Sequence, residues 1–216
     1  MAGEGESPEV GDWGDRMKTS AELVAHKKRV PVLFCDLDGT VRKGFDELGR
    51  FVNKASDVEL FPHMAERLHS YRQEGWRIVA VTNQGGIATG MCEYADAVAA
   101  VIETQMQSQQ AFDKMLMCQH HPDAHDPEMA NCFCRKPKMG MLVLAVEALS
   151  EMYPDELYPP HLMLMVGDRD EDRKCAENAG IRFKLARDWR QEPFTLKISG
   201  EVSQVVSGEG TGAWTR

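Results

Sequence analysis

Phe34-Cys35-Asp36-Leu37-Asp38-Gly39-Thr40 joins an apolar run to two carboxylates spaced two residues apart, and the reading of this stretch decides the fold. Side chains alternate along a strand with period two, so Asp36 and Asp38 leave the sheet edge on the same side. Gly39 then lets the backbone turn at once. Taken alone, the pattern also suits a turn with an acidic cap. As a phosphate-handling site it has a clear logic: Mg2+ prefers oxygen ligands and can neutralise both the aspartates and the oxygens of a bound phosphate. One aspartate can attack phosphorus while the other handles the leaving-group proton.

Three later segments work in the same direction. Ile78 to Gly86 (IVAVTNQGG) is a second apolar strand ending in the Thr82 hydroxyl, the Asn83 amide and a glycine turn, groups that suit an oxyanion. Cys134-Arg135-Lys136-Pro137-Lys138 offers cations that screen charge between nucleophile and phosphate. Leu162 to Asp172 (LMLMVGDRDED) is a third apolar strand running into carboxylates, of which Asp168 would complete a magnesium site. Singly, these are a common loop, a solvated charge pair and a helix N-terminus. Together they place each polar group at the carboxyl end of a predicted strand, where an open parallel α/β sheet holds its ligand crevice.

Helical spacing predicts helices over 61–73, with Pro62 in the first turn and Gly75 after the end, and over 93–112. Two more are predicted around Met141 to Leu149 and over 171–178, the last closed by Gly180. Alternating strands and helices imply parallel pairing. Met115, Met117, Met163 and Met165 alternate within strands and read as core, and Cys35, Cys92 and Cys175 read as buried or incidental.

Cys118-Gln119-His120, followed by Cys132-Phe133-Cys134, supplies three thiols and an imidazole in a loop too short to have its own core. Such a set can close a tetrahedral structural zinc site, with His121 and His125 as rivals to His120 for the fourth ligand. Free thiols that happen to cluster are the plainer alternative.

With these motifs in order, the chain resembles the haloacid-dehalogenase superfamily of phosphohydrolases over about residues 32–186, matching its motifs at Asp36 to Thr40, Thr82, Lys136 and Asp168 with Asp172. The resemblance implies a Rossmann-like parallel sheet flanked by helices, with no large cap domain and a zinc-binding loop insertion. It implies that Asp36 is the nucleophile forming an aspartyl-phosphate, and that Asp38 protonates the leaving group and then activates water. Thr82 and Lys136 would hold the phosphoryl group. Mg2+ would sit on Asp36, the main-chain carbonyl of Asp38 and Asp168, with Asp172 behind them.

The Cys-x-His, Cys-x-Cys, Arg-Lys-Pro arrangement is similar to that of the D-glycero-D-manno-heptose 1,7-bisphosphate phosphatases and the histidinol-phosphate phosphatases. By that likeness Cys118, His120, Cys132 and Cys134 are zinc ligands, and Arg135 and Lys136 face the substrate. The stretch 41–59, carrying Arg42, Lys43, Phe45, Arg50 and Phe51, departs from the heptose pattern and is expected to line the entrance. The expected activity is Mg2+-dependent hydrolysis of a small phosphorylated metabolite, a sugar phosphate or bisphosphate. A polynucleotide 3'-phosphatase, whose catalytic domain also shows the Asp-Leu-Asp-Gly-Thr and Thr-Asn-Gln patterns, a histidinol-phosphate phosphatase and a silent zinc-stabilised binding module are the alternatives.

The chain has 216 residues, 43% of them hydrophobic, enough for one full α/β core. Its net charge of -9 argues against broad nucleic-acid binding, which needs a basic face. The hydrophobic runs are short and interrupted by charge, so no membrane span is expected. A cytoplasmic monomer is expected, with a phosphatase domain over 30–198 and its zinc loop at 118–134. An N-terminal extension (1–29) is expected to be partly mobile, chiefly over about 1–15, and a C-terminal tail (199–216) rich in small and polar residues to be mobile, with Trp13 and Trp214 free to dock.

Overall fold

The computed structural model describes residues 26–198 and 202–206. Strands β1 (Lys28–Arg29) and β5 (Glu156–Leu157) form a short parallel pair. Strands β2 (Val32–Cys35), β3 (Arg77–Asn83), β4 (Lys114–Cys118), β6 (Met163–Gly167) and β7 (Arg182–Leu185) build a five-stranded sheet in the order β4-β3-β2-β6-β7. Every pairing within it is parallel, as the alternation of strand and helix requires. Strands β8 (Phe194–Ile198) and β9 (Val202–Val206) close an antiparallel hairpin.

The period-two alternation assigns each strand residue to one of two cores. Val32, Phe34, Val79, Val81, Met163 and Met165 face the helices Gly140–Met152 and Asp170–Asn178, meeting Met141, Ala145, Leu149 and Cys175. Their neighbours Leu33, Cys35, Ile78, Ala80, Leu164 and Val166 point the other way, onto Met64 and Leu68 of helix Met64–Gln73 and Trp189 of helix Ala186–Gln191. Both faces of the sheet are therefore covered, and central β2 is buried throughout. At roughly 1.5–3 kcal/mol for each large apolar side chain removed from water, these two layers supply the main driving force for folding. Met163 and Met165 are core residues as expected, while Met115 and Met117 on edge strand β4 are only half-buried.

Helix ends differ from the sequence pattern where the backbone leaves helical space. After a short helix at Phe45–Leu48, the first of the predicted helices begins at Met64 and not near Phe61, because His63 adopts φ 56. The second, Tyr94–Gln107, stops short of Phe112: Gln109 and Gln110 take φ 56 and 61 and turn Ala111 and Phe112 into the core. Lys28–Arg29 and Val202–Val206, which composition places in the two extensions, are strands. Phe194 and Val206 of the hairpin are buried. Trp13, Trp214 and the rest of the extensions lie outside the described residues. No helix among the described residues is long and apolar enough to cross a membrane.

The carboxyl ends of β2, β3 and β6 deliver Asp36, Thr82 with Asn83, and Asp168 to one edge of the sheet. That edge carries the site.

Candidate active site

Asp36 follows directly on β2, its amide donating to the Val166 carbonyl at 2.9 Å, so the sheet ladder itself fixes the start of the loop. Lys136 reaches it from a hundred residues away. The Lys136 Nζ donates to Asp36 Oδ1 at 2.5 Å and to the Val81 carbonyl at 2.8 Å, and pairs with Asp172 Oδ1 at 2.7 Å. Lys136 is 2% exposed. Burial works against its charge, but Asp36 and Asp172 outweigh it and hold the ammonium above its ordinary pKa. Burial pushes the Asp36 carboxyl well up; Lys136 opposes the rise, and Asp172, Asp38 and Asp168 add to it.

Asn83 lines the cleft and also grips the lysine. Its Oδ1 accepts from the Lys136 amide and its Nδ2 donates to the Lys136 carbonyl, each at 3.1 Å, with Glu171 Oε1 at 3.2 Å. Thr82 is buried beside Asp36, and its hydroxyl accepts from Gln84 Nε2 at 2.9 Å. The same amide donates to Asp38 Oδ2 at 2.7 Å, so Gln84 ties the second aspartate to the phosphate-side hydroxyl. The Thr-Asn-Gln-Gly run contained this residue, but no spacing rule singles out its amide.

Asp36, Asp168 and Asp172 bring one carboxylate oxygen each to within 4.8 Å of one another. Asp168 Oδ1 is buried with no hydrogen-bond partner, and burial, reinforced by Asp172, raises this carboxyl from 3.8 to about 6. Three carboxylates against the one ammonium of Lys136 leave an excess of two negative charges when all are ionised, the charge a divalent cation offsets. Gly39 makes room for this group: it sits at φ 81, and a Cβ there would lie 2.3 Å from Asp168 Oδ2. These residues fit Mg2+.

Beyond β4, Cys118, His120, Cys132 and Cys134 form a second cluster. The sulfur of Cys118 lies 3.7 Å from that of Cys132 and 3.3 Å from that of Cys134, and His120 Nδ1 is 3.5 and 3.4 Å from Cys118 and Cys134. A tetrahedron with metal–sulfur bonds of ~2.3 Å has edges of about 3.8 Å, so the four donors fit one zinc ion with slight expansion. His120, and neither His121 nor His125, stands with the sulfurs; His121 accepts from the Asp123 amide and lines the cleft. All six cysteines are free thiols. The cluster also positions Arg135, whose amide donates to Cys132 Sγ at 3.3 Å and whose Nη1 donates to the His120 carbonyl at 3.0 Å.

A cleft of about 460 Å³ opens over Asp36 and Asp38, with Arg135 and Arg169 on its walls and Phe45, Phe51 and Met91 toward its mouth. Phe45 and Phe51 are in ring contact, centroids 4.9 Å apart, and both are nearly half exposed. They line the entrance as expected of the stretch 41–59. Arg42 does not: it is fully buried behind Asp38, because its guanidinium finds acceptors inside the protein. Lys43 pairs with Glu59, and Arg50 lies 3.4 Å from Asp57 beside a shallower depression that shares Phe51, Asn53 and Met91 with the cleft.

Residues 31–189 match the family model of the polynucleotide kinase 3 phosphatases. A D-glycero-D-manno-heptose-1,7-bisphosphate 7-phosphatase of Chlorobaculum tepidum is 30% identical over 82% of this chain and 92% of its own. The histidine biosynthesis bifunctional protein HisB of Legionella pneumophila is 32% identical over 70% of this chain and 40% of its own. Among solved structures, a HAD-like phosphatase of Mesorhizobium loti superposes with a TM-score of 0.61 at 28% identity, covering 71% of this chain and 70% of that one. The D,D-heptose 1,7-bisphosphate phosphatase of B. bronchiseptica, complexed with magnesium and phosphate, superposes at 0.57 and 27% identity, covering 72% and 80%. A parallel sheet delivering paired aspartates, a threonine, a buried lysine and a further acidic pair to one edge agrees with these matches, and the chain belongs to the polynucleotide kinase 3 phosphatase family of haloacid-dehalogenase-type phosphatases, phosphoric monoester hydrolases.

Proposed function

We propose that this chain hydrolyses a phosphomonoester of a sugar phosphate or sugar bisphosphate, with Mg2+ as cofactor and an aspartyl-phosphate on Asp36 as intermediate. The observation that carries the reading is the buried Asp36–Lys136–Asp172 group with Asp168 and its unpartnered oxygen, which together call for a divalent cation beside a nucleophile. When bound, Mg2+ would be held by Asp36, Asp168 and the main-chain carbonyl of Asp38, and would offset charge on the phosphate oxygens. The remaining chemistry belongs to the chain. A carboxylate oxygen of Asp36 forms a bond to phosphorus as the bond to the leaving oxygen breaks, and that oxygen takes a proton from Asp38. Asp38 then accepts a proton from water as the water oxygen bonds to phosphorus, freeing Asp36 and inorganic phosphate. Thr82 and the glycine turn behind it face the phosphoryl oxygens, and Arg135 and Arg169 offer the cleft wall a counter-charge for a second phosphate.

The sugar reading also draws on the heptose-bisphosphate phosphatase relatives. A second reading, a 3'-phosphorylated oligonucleotide, is favoured by the Phe45–Phe51 pair at the mouth, since every base has a face that stacks on an aromatic ring. The neighbouring depression beyond Phe51 carries Arg50 and Lys54 together with Asp57, Glu93 and Asp96, so this reading rests on stacking and not on a basic path. Phosphate release with Mg2+ is to be measured across sugar bisphosphates, sugar monophosphates, histidinol phosphate and a 3'-phosphorylated oligonucleotide. The expected result is highest kcat/KM on a sugar bisphosphate; a higher value on the oligonucleotide selects the second reading.

The cysteine cluster is proposed to hold one structural zinc. Elemental analysis of reduced, freshly purified protein is expected to find one zinc per chain. Its chelation is expected to lower the melting temperature and, through the loss of Arg135's support, the activity. Removing Mg2+ is expected to stop turnover without unfolding the protein. Zinc-free protein of the same stability would sink the structural role.

A further inference from the structure

The Asp38 carboxylate is framed from behind by Arg42. Arg42 Nε donates to Asp38 Oδ1 at 2.8 Å and Nη2 to Oδ2 at 3.2 Å, a bidentate fork. The remaining terminal nitrogen, Nη1, donates to the Ala100 carbonyl at 3.1 Å and to Thr104 Oγ1 at 2.9 Å, both on helix Tyr94–Gln107. The guanidinium is fully buried, whereas the Asp38 side chain keeps about a quarter of its surface open to the cleft. Its backbone is fixed as well, the Arg42 carbonyl accepting from the Gly39 amide at 2.8 Å and its amide donating to the Leu37 carbonyl at 3.0 Å.

We propose that Arg42 is a positioning residue for the leaving-group chemistry: its fork, anchored on the Ala100 carbonyl and Thr104, sets the plane and reach of the Asp38 carboxyl group. A surface ion pair formed for stability alone would not need its guanidinium fully buried and anchored on a separate helix while the carboxylate stays open to the cleft. Without the fork the Asp38 carboxyl keeps one side-chain donor, Gln84 Nε2 on Oδ2 at 2.7 Å, which fixes one oxygen but not the plane of the group, and a displacement of about 1 Å at a reacting group can lower a rate by about 100-fold. A lysine cannot replace this frame, because an ammonium is a point charge without a planar pair of donors. The inference rests on the reading of Asp38 as the group that protonates the leaving oxygen.

The test compares kcat/KM, which reports the step that forms the phosphoenzyme, on an alkyl phosphate and on p-nitrophenyl phosphate. The alkoxide needs the proton; p-nitrophenolate departs with the electron pair of the broken bond as a stable anion. Arg42→Met and Arg42→Lys are each expected to lose about 30- to 100-fold on the alkyl phosphate and less than about 3-fold on p-nitrophenyl phosphate. Thr104→Val, which removes one anchor and keeps the volume, is expected to lose in the same direction but less, and decides the matter if the Arg42 variants do not fold. Equal losses on both substrates, or none, in folded protein would overturn the proposal, as would full recovery by Arg42→Lys, which would make charge and not the fork the agent. Asp38→Asn run alongside separates the two readings. If it shows the selective loss and the Arg42 and Thr104 variants do not, the positioning role fails; if it shows no selectivity, the acid role of Asp38 fails and the proposal with it.

Discussion

Asp36→Asn is expected to lower phosphate release by on the order of 10⁴-fold or more while leaving the protein folded, because an amide cannot form the covalent bond to phosphorus that every later event depends on. The fold is expected to hold for a reason visible in the site. Lys136 keeps Asp172 Oδ1 at 2.7 Å and the Val81 carbonyl at 2.8 Å after Asp36 loses its charge, and the isosteric amide fills the same volume. Substitution also removes one of three crowded carboxylates, so the melting temperature is expected to stay within a few degrees of wild type or to rise. Phosphate release under saturating Mg2+, a thermal melt and intact-mass detection of a phosphoenzyme in rapidly quenched wild type check the three parts. Turnover within tenfold of wild type would remove Asp36 from the role of nucleophile.

Lys136→Met is expected to damage both stability and turnover, and the two effects have one origin. The lysine is buried between two carboxylates that no other described cation contacts as closely, Asp36 at 2.5 Å and Asp172 at 2.7 Å. Removing one partner of a buried pair leaves uncompensated charge and typically costs roughly 3–5 kcal/mol. Denaturant unfolding of the zinc-loaded protein without Mg2+ is expected to show a loss of that size. Added Mg2+ is expected to recover part of it, since the cation offsets the same excess negative charge. Turnover is expected to fall by on the order of 100- to 1,000-fold, the usual effect of losing a preorganised donor at a centre of developing charge. An unchanged unfolding midpoint would mean that Asp36 and Asp172 are not ionised together in the folded protein.

The contrast between these two residues shows how far the chain could be read locally. The aspartate pair announces itself within seven residues, because strand alternation and the following glycine act over two or three positions. The cysteine and histidine spacing likewise points to a candidate metal cluster from one loop, and the structure then places His120, of three candidate histidines, with the sulfurs. Helix ends at Met64 and Gln107 were less legible, since both are set by non-glycine residues at positive φ, His63 before the one and Gln109 and Gln110 after the other, which composition does not announce.

Arg42 and Asn83 mark the other limit. A buried guanidinium and an entrance arginine have the same sequence signature, and only the approach of Ala100 and Thr104, about sixty positions on, provides the acceptors that allow Arg42 to be buried. Asn83 sits within a phosphate-suited loop, yet its amide is held by the backbone of Lys136 across the sheet edge. By itself the sequence determined the parallel α/β core, the order of the strands that carry function and the residue types at their ends, because periodicity and turn chemistry are local. Only the tertiary structure decided which charges are buried together, which amides serve protein and which face the cleft. Those outcomes depend on distances between elements far apart in the chain, and a buried charge is tolerated only where packing brings its partner.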